Sequence, residues 1–397
     1  MPRFTGFPAV RYATDPYPSV VAPPYDVLSE EQAAGYRDRH PHNITHLDLP
    51  VGPDRYVRAG ELYRRWLAEG VLTSDGAATL TIYRLRFRDP TGALRSISGV
   101  IGGLEVVDEG AGGVLPHERT TPKASTDRLD LTEATEANLS PVWGLSLAGG
   151  LTELLAEPAE PIGSVHDHDE LTDGVEHVIE RITEPERIAA ICAVIGADDV
   201  LIADGHHRYG VARIYRDEVR RRTGSTDTAA EDTLAFVSEL VEDQLSVAAI
   251  HRLYRDVDLD QLRKALAERF EFAPVERPDQ DTLARMDDDG FLTLVSPVGA
   301  EALTPRPGAF TGSRALDGAW LEDTLAGLAP AVTYQHGVDE VLSAVESGAA
   351  TAGVLIRPVS VAEIERTARE GLLMPPKSTF FTPKLKTGFV IRDLTAG

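Results

Sequence analysis

The sequence predicts an α/β fold with a mixed sheet core, and α+β is the alternative. The strongest indication is an apolar run at residues 200–203, which has the length of a strand buried on both faces. Gly205 follows this run and can adopt backbone angles that a side chain forbids. Apolar residues then recur at helical spacing, at Val211, Ile214, Tyr215 and Val219. The stretch therefore predicts a strand, a tight turn and a helix in succession.

Other elements are predicted by helix caps and by the period of apolar residues. Ser29 and Gln32 have the spacing of a capping box, which predicts the start of a helix. Residues 44–49 are expected to form a strand. Residues 83–88 alternate apolar side chains with arginines, which is typical of a half-exposed strand. Residues 176–191 are expected to form a helix, so strands and helices are interspersed along the chain.

Two domains are expected, with a boundary near residue 256. Residues 1–255 would form an N-terminal α/β domain that carries the strand, turn and helix. Residues 256–397 would form a smaller C-terminal α/β domain. A stripe at helical spacing opens the second domain, formed by Leu259, Leu262, Leu266 and Phe270. Ser360 and Glu363 predict a further capped helix within it.

Charge and composition exclude several classes of function. The formal net charge of −24 would repel a phosphate backbone, which argues against nucleic acid as a partner. No apolar run approaches the roughly 18 residues of a membrane span, and the first residues lack the layout of a signal peptide. Cys192 is the single cysteine, so an internal disulfide is excluded. We expect a cytoplasmic protein that binds a small molecule and no membrane, and the oligomeric state is left open.

Lysine is scarce in this chain, with only five lysines among 39 basic residues. Lys123 lies in a polar stretch, and Lys377, Lys384 and Lys386 lie close together near the C-terminus. Lysine is a compact point charge that contacts phosphate differently from the flat fork of arginine. Its retention at these places indicates a chemical requirement, and chance clustering is the alternative.

The start of the predicted helix is the first candidate site. It carries Asp204, His206, His207 and Arg208 around the glycine turn. The free N–H groups and the dipole of a helix N-terminus already favour an anion. Positive side chains at that end are therefore unfavourable unless they share a negatively charged ligand. We expect a bound phosphate or carboxylate here.

A polar segment at residues 115–128 is the second candidate. It has too few apolar residues to pack by itself. Its ionisable residues lie within about a dozen positions: His117, Glu118, Arg119, Lys123 and Arg128. That density is typical of an active-site loop. A solvated loop is the alternative.

Residues 374–388 form the third candidate, in which lysines, hydroxyl residues and prolines follow one another. Lysine supplies charge and a neighbouring hydroxyl supplies a hydrogen bond, a combination suited to phosphate. The candidate ligands are Lys377, Ser378, Thr379 and Lys384. A basic surface tail is the alternative. The pair His251 and Arg252 is read from the residues alone as an ordinary strand end.

The histidines give no strong metal pattern. His40, His42 and His46 do not have the spacing of a known ligand set. Residues 166–169 are expected to form a solvated loop. The residues alone therefore leave a resident metal unknown.

Four motifs together resemble one family, known as domain of unknown function 1015. They are residues 23–27, residues 117–119 with 127–128, residues 204–209, and residues 374–384. The turn at residues 204–209 is also similar to one in the ParB and sulfiredoxin-like fold, where it binds nucleotide phosphates. Some members of that group resemble free-serine kinases. The resemblance implies phosphoryl transfer from a nucleotide or pyrophosphate to a small hydroxylated metabolite, with L-serine as one candidate.

For phosphoryl transfer, which depends on charge neutralisation and alignment, we hypothesise the following roles for the candidate residues. His206, His207 and Arg208 would hold donor phosphates, and Lys377, Ser378 and Lys384 would close over them. Magnesium would bridge the phosphates. Glu118 or Asp204 would accept the hydroxyl proton, with Asp26 and Asp48 as further candidates, and Arg119 or Arg128 would clamp the acceptor carboxylate. The remaining expected phosphate or substrate ligands are His117, Lys123, His251, Arg252 and Thr379.

Two other functions stay open at this stage. A nucleotide-hydrolysing regulator of the ParB type would carry a basic helix-turn-helix, and none is visible in the sequence. A metal-dependent hydrolase would use some of the eleven histidines and would contain zinc. No Walker-type loop or kinase glycine loop is visible, which disfavours a conventional ATP-binding fold.

Overall fold

The computed structural model divides the chain into two units. Unit 1 comprises Met1–Ser246 and Pro383–Gly397, and unit 2 comprises Val247–Thr382. The structure describes residues 1–14, 17–89, 92–116, 125–167, 174–312, 314, 316–375 and 377–395.

Unit 1 is built on a mixed sheet flanked by helices. Its strands are β1 (Phe4–Thr5), β2 (Val10–Tyr12), β3 (Leu72–Ser74), β4 (Leu80–Arg88), β5 (Leu94–Glu105), β6 (Val114–Leu115), β7 (Ala137–Asn138), β8 (Val142–Ser146), β9 (Glu160–His166), β10 (Glu176–Ile182), β11 (Val200–Asp204) and β12 (Asp232–Glu239). Its helices are α1 (Tyr17–Val20), α2 (Glu30–Arg39), α3 (Thr45–Asp48), α4 (Arg55–Ala68), α5 (Ser125–Thr135), α6 (Leu151–Ala156), α7 (Pro185–Ile195) and α8 (His206–Thr223), with a 3₁₀ turn at Ala229–Glu231.

The main sheet of unit 1 has the strand order β6-β11-β8-β12-β5-β4-β10-β9, with β1 on β5. The pairs β6–β11 and β8–β12 are parallel, and the other pairs in this order are antiparallel. The α/β fold with a mixed sheet is therefore confirmed. Val200, Ile202 and Tyr209 are buried in the core of this sheet. All four residues of the predicted strand at residues 200–203 are buried, so both of its faces are covered, which explains its continuous apolar run.

Unit 2 contains an antiparallel sheet with the order β15-β17-β16-β19-β14-β18. Its strands are β13 (Ser246–Ala248, where the chain enters the unit), β14 (His251–Arg255), β15 (Phe270–Val275), β16 (Leu292–Ser296), β17 (Gly299–Pro305), β18 (Ala331–Gln335), β19 (Ala352–Leu355) and β20 (Phe380–Thr382). Its helices are α9 (Leu259–Ala267), α10 (Gln280–Asp289), α11 (Asp317–Leu325), α12 (Val338–Glu346) and α13 (Val361–Arg369). The last strand, β21 (Arg392–Asp393), is in unit 1 and pairs with β7.

The helix starts predicted from caps are observed. The Ser29 hydroxyl accepts from Gln32 N, and the Gln32 side chain accepts from Ser29 N, which completes the capping box of α2. The Ser360 hydroxyl accepts from Glu363 N at the start of α13. These caps satisfy N–H groups that the first turn of a helix leaves without a partner.

Two predicted elements are wrong. Residues 44–49 do not form a strand, because the chain turns at Asn43, whose Oδ1 accepts from Thr45 N, and continues as the short helix α3. Residues 176–191 are not one helix. Their first part is β10, paired along its length with β4, and Pro185 then occupies the first turn of α7.

The division into units differs from the predicted boundary in two respects. Unit 2 begins at Val247 rather than at residue 256, because β14 belongs to its sheet. The last residues also return to unit 1 rather than staying with the C-terminal domain. Their backbone pairs there, through Thr387 with Ala22 and Ile391 with Val10. Among the described residues, no helix has both the length and the apolarity needed to cross a bilayer.

Candidate anion-binding site

The predicted strand, turn and helix at residues 200–209 are present in unit 1. Asp204 ends β11, Gly205 has a φ of 88°, and His206 begins α8. The left-handed backbone at Gly205 is strained for any residue with a side chain. A Cβ there would also lie 3.0 Å from Arg208 Nε. The glycine therefore permits both the sharp turn and the packing of the Arg208 guanidinium against it.

Asp204 holds two cations that are far apart in the chain. Its Oδ2 accepts from Arg208 Nη2 at 2.6 Å, and its Oδ1 accepts from Lys384 Nζ at 2.7 Å. Arg208 Nη1 also donates to the carbonyl of Pro141. Burial opposes ionisation of Asp204, but Lys384 and Arg208 outweigh it and hold the pKa of this carboxyl well below its usual range. Asp204 is therefore charged, and its main effect is to hold the two cations together.

A second group of polar residues surrounds the buried carboxylate of Asp48. Arg128 Nη1 donates to Asp48 Oδ1 at 3.2 Å and to the Asp48 carbonyl at 2.8 Å. The Ser140 hydroxyl lies 3.5 Å from Asp48 Oδ2. Burial raises the pKa of Asp48, and the nearby Arg128 only partly offsets it. Asp48 is thus the carboxylate of this region whose proton affinity is increased.

Arg208 and the residues around Asp48 line one cavity in unit 1, of about 50 Å³. Asp48, Arg128 and Ser140 contribute to its wall together with Arg208. Tyr25 completes the wall, and its ring lies 4.2 Å from the Arg128 guanidinium carbon. Burial raises the pKa of Tyr25 to about 12, so its hydroxyl stays protonated. The cavity therefore brings a carboxylate of raised pKa close to a cation at the helix N-terminus.

The C-terminal segment is anchored in unit 1 by a buried polar network. His177 has Nδ1 2.7 Å from the Tyr83 hydroxyl and Nε2 3.0 Å from Asp167 Oδ2. Lys386 Nζ lies 2.8 Å from the same Asp167 oxygen, and Lys386 N donates to the Tyr83 hydroxyl at 3.0 Å. Lys386, Asp167 and His177 expose 3%, 5% and 0% of their surfaces, so their mutual contacts replace water. This network fixes the chain two residues after Lys384.

The remaining predicted site residues fall into three sets. His206 and His207 are half-buried in the first turn of α8, as predicted. His117, Glu118, Arg119 and Lys123 lie outside the described residues. The third set is in unit 2 and comprises His251, Arg252, Lys377, Ser378 and Thr379. Their use with Asp204 stays a prediction.

The residues of unit 2 make contacts of their own. Arg252 Nη1 donates to the Lys377 carbonyl at 3.1 Å, and the Ser378 hydroxyl donates to the Pro375 carbonyl at 2.7 Å. His251 Nδ1 accepts from Ile356 N at 3.2 Å, and burial lowers the pKa of His251 to about 4. His251 is therefore neutral near pH 7, which suits a structural hydrogen bond better than contact with an anion.

Some members of the site were missed or underweighted from the sequence. Tyr25 follows the paired prolines of the motif at residues 23–27, which was a usable signal. From the sequence alone, Asp48 is only a further candidate base. Ser140 gave no signal, since nothing in its neighbours distinguishes it from an ordinary loop serine.

Replacement of Gly205 by alanine is expected to destabilise the protein by about 1–2 kcal/mol, because the left-handed backbone is strained for alanine and the new methyl meets Arg208. The matched control is Gly210→Ala in the same helix, where no described atom lies within 4 Å of the added Cβ. Alanine favours a helix over glycine by about 1 kcal/mol, so the control should be neutral or stabilising. Urea unfolding of both variants measures the difference, and equal stabilities would contradict the assigned role of Gly205.

The Asp167 network is expected to lose stability in acid. His177 and Lys386 overcome the effect of burial and lower the pKa of Asp167 to about 2. A carboxyl whose folded pKa is depressed stabilises the fold above its unfolded pKa near 4, and this contribution, roughly 2 kcal/mol, is lost as the pH falls towards 2. The urea midpoint of the parent should therefore fall more steeply between pH 5 and pH 2.5 than that of Asp167→Asn. Asp323→Asn, at an exposed position, should follow the parent, and parallel curves for all three proteins would refute the prediction.

Comparison with known proteins places the chain among proteins of unknown function. A family model described as "Protein of unknown function (DUF1015)" matches residues 4–317. No curated protein matches the sequence.

Several solved structures are weakly similar to this chain. A free serine kinase in complex with AMP is 13% identical, with 71% of this chain and 88% of that chain covered at a TM-score of 0.40. SbnI from Staphylococcus aureus, with a C-terminal truncation, is 12% identical, with 72% and 85% covered at 0.40. A conserved hypothetical protein from Pyrococcus furiosus is 12% identical, with 70% and 92% covered at 0.37. At these values the likeness by itself assigns no ligand or activity to this chain.

Proposed function

The chain belongs to the DUF1015 family of proteins of unknown function, as its motifs indicate, and on that premise we propose that it is a phosphotransferase. It moves a phosphoryl group from a nucleotide or pyrophosphate to a hydroxyl of a small metabolite. The observation that carries the proposal is the meeting of Arg208 and Lys384 on Asp204 at the start of α8.

The donor phosphates bind at the N-terminus of α8. Phosphoryl transfer depends on charge neutralisation and alignment more than on covalent help from the protein. Helix N–H groups, Arg208 and Lys384 supply the positive charge, and Asp204 offsets the repulsion between the two cations. Within the described part of the chain, Arg208 Nε is buried and has no hydrogen-bond acceptor, which leaves it as a donor for a phosphate oxygen. His206 and His207 add two imidazoles at the same end.

Asp48 is the general base in this proposal. A carboxylate whose pKa is raised takes a proton more readily than one whose pKa is held low, which favours Asp48 over Asp204. Asp48 takes the proton of the acceptor hydroxyl, and the hydroxyl oxygen forms a bond to the terminal phosphorus of the donor. The bond from that phosphorus to the bridging oxygen breaks, and the shortened donor leaves. Glu118 is the alternative base.

L-Serine is the first acceptor to test, because the resemblance of the turn at residues 204–209 implies it. Its carboxylate needs a cation. Arg128 already donates to Asp48 and, through Nε and Nη2, to Asp127 Oδ2 at 3.0 and 2.7 Å. Arg128 therefore positions Asp48, and Arg119 is the proposed clamp for the acceptor.

Magnesium is the proposed metal. Mg²⁺ is usually held by one or two carboxylates together with substrate phosphates, so a preformed cage of several protein ligands is not required. Within the described ranges no cluster of three potential ligands occurs. Asp204 is a poor ligand for the ion because both of its oxygens accept from cations. Asp26 is the better candidate ligand, because it is exposed and lies close enough to Arg208 to interact with it. When bound, the ion would neutralise charge on the phosphates.

A donor and acceptor screen tests the proposal. The protein is incubated with magnesium and with ATP, ADP or pyrophosphate, together with pooled amino acids and sugars, and new phosphoesters are sought by mass spectrometry. A phosphoester that requires both donor and protein supports the proposal. No product with any combination would overturn it. Release of inorganic phosphate without an acceptor product would favour the nucleotide-hydrolysing regulator instead.

A further inference from the structure

A second cavity in unit 1, of about 340 Å³, is lined by basic side chains. Arg37 of α2, His46 of α3, and Arg55, Arg58 and Arg65 of α4 contribute to its wall. The residues that line it differ from those of the cavity beside Asp48. Arg58 and Arg65 are seven positions apart, which places them on one face of the helix. Three helices therefore direct positive charge into one open space.

Two arginines of this cavity are held by backbone carbonyls, whereas Arg55 is paired with Asp127. Arg37 Nη1 donates to the Leu49 carbonyl at 3.1 Å, and Arg58 donates to the Val51 carbonyl. Among the residues that the structure describes, no carboxylate lies within 4 Å of Arg37, Arg58 or Arg65. Glu61 lines the cavity without pairing with them. The chain has a net charge of −24, so a concentration of uncompensated guanidinium groups is unusual on its surface.

We infer that this cavity binds a small, multiply charged oxyanion of the phosphate class, such as pyrophosphate or a phosphorylated metabolite. Guanidinium groups match phosphate oxygens in a bidentate geometry and are less strongly hydrated than ammonium groups. A cavity of about 340 Å³ is within the range of small-molecule sites, at its lower end, and has room for a compact anion. A single charge would leave most of Arg37, Arg58 and Arg65 uncompensated, which is why a multiply charged ligand is favoured.

The cavity is connected to the proposed active site by a chain of ion pairs. Arg55 Nη2 lies 2.8 Å from Asp127 Oδ1, and Asp127 Oδ2 accepts from Arg128, which in turn holds Asp48. An anion that draws Arg55 away from Asp127 would change the contacts of Asp127, which also accepts from Arg128. If the proposed function holds, an anion in this cavity therefore regulates Asp48 as the general base. Binding of the anion itself does not depend on the proposed function.

Calorimetric titration with inorganic pyrophosphate tests the inference on the full-length protein. Two sites are expected in the parent. The double variant Arg58→Gln/Arg65→Gln should weaken pyrophosphate binding at the arginine-lined cavity by about tenfold or more, because charge-assisted hydrogen bonds are lost. Lys384→Met should weaken binding at the start of α8 and leave the affinity of the arginine-lined cavity within twofold of the parent. The matched control is Arg64→Gln, on the same helix but outside the wall of the cavity, and it should leave both sites unchanged.

The outcomes separate this inference from the proposed function. The inference is supported if the double arginine variant loses one pyrophosphate site and still unfolds at the same temperature as the parent. This holds even if Lys384→Met changes nothing. Equal binding by the double variant and Arg64→Gln would overturn it. Citrate that binds the site more tightly than pyrophosphate would overturn the assignment to the phosphate class. A single-stranded oligonucleotide that displaces pyrophosphate at equal phosphate concentration would overturn the assignment to a small ligand.

Discussion

Asp48→Asn is expected to lower the rate of phosphoryl transfer by about 10²- to 10⁴-fold, the range typical of a positioned general base. The asparagine keeps the shape of the side chain and can still accept from Arg128, whose second contact is to the Asp48 carbonyl. The donor affinity should therefore change little. A fall in kcat at nearly constant donor KM would show that the carboxylate acts in the chemical step.

The pH profile gives an independent reading of the same residue. Burial raises the pKa of Asp48, and a base works only when it is deprotonated. Activity of the parent should therefore rise with pH across the raised pKa of Asp48, and this acidic limb should disappear in Asp48→Asn. Asp26→Asn is the parallel variant, since Asp26 is an exposed carboxylate that interacts with Arg208, as Asp48 does. A large loss of kcat in Asp26→Asn with none in Asp48→Asn would reject Asp48 as the base.

The strand, turn and helix at the start of α8 could be predicted from the sequence because the residues that determine them are neighbours along the chain. An apolar run, a glycine and a helical repeat follow one another within residues 200–219, and each determines its own backbone. The same reasoning from apolar residues predicts a strand at residues 44–49, and that prediction is wrong. There, Asn43 accepts from the backbone of Thr45 and favours a helical turn over a strand. A side-chain to backbone hydrogen bond of this kind competes with the pattern of apolar residues.

The long-range part of the site could be predicted only in outline. The scarcity of lysine marked Lys384 and Lys386 as special, but it did not reveal their partners. Lys384 pairs with Asp204, and Lys386 pairs with Asp167. Residues 166–169 are expected to form a solvated loop, which is wrong for Asp167 because its side chain is buried. Sequence periodicity describes neighbours along one element, whereas these pairs depend on how the sheet of unit 1 is assembled. The pocket beside Asp48 depends on the same assembly, which is why Ser140 carried no signal.

Lys384→Met is expected to weaken donor binding by about tenfold to a hundredfold and to destabilise the protein by about 2 kcal/mol. The ammonium is largely buried and binds one oxygen of Asp204, so its removal leaves that oxygen without its charged partner. Arg208 remains on the other oxygen, which limits the loss of stability below the ~3–5 kcal/mol of a fully broken buried pair. Methionine preserves most of the volume, so the effect reports charge rather than packing.

The matched control is Lys264→Met, at an exposed lysine of α9 in unit 2, which should change neither donor affinity nor stability. Donor affinity is measured by calorimetric titration of ADP or ATP, and stability by urea unfolding. A further comparison separates the two effects of Lys384. Asp204→Asn removes the negative charge that Lys384 and Arg208 share, so it should destabilise the fold without abolishing donor binding, since both cations remain. If Lys384→Met binds the donor as tightly as Lys264→Met, Lys384 has only a structural role, and the phosphate site at the start of α8 would have to be formed without it.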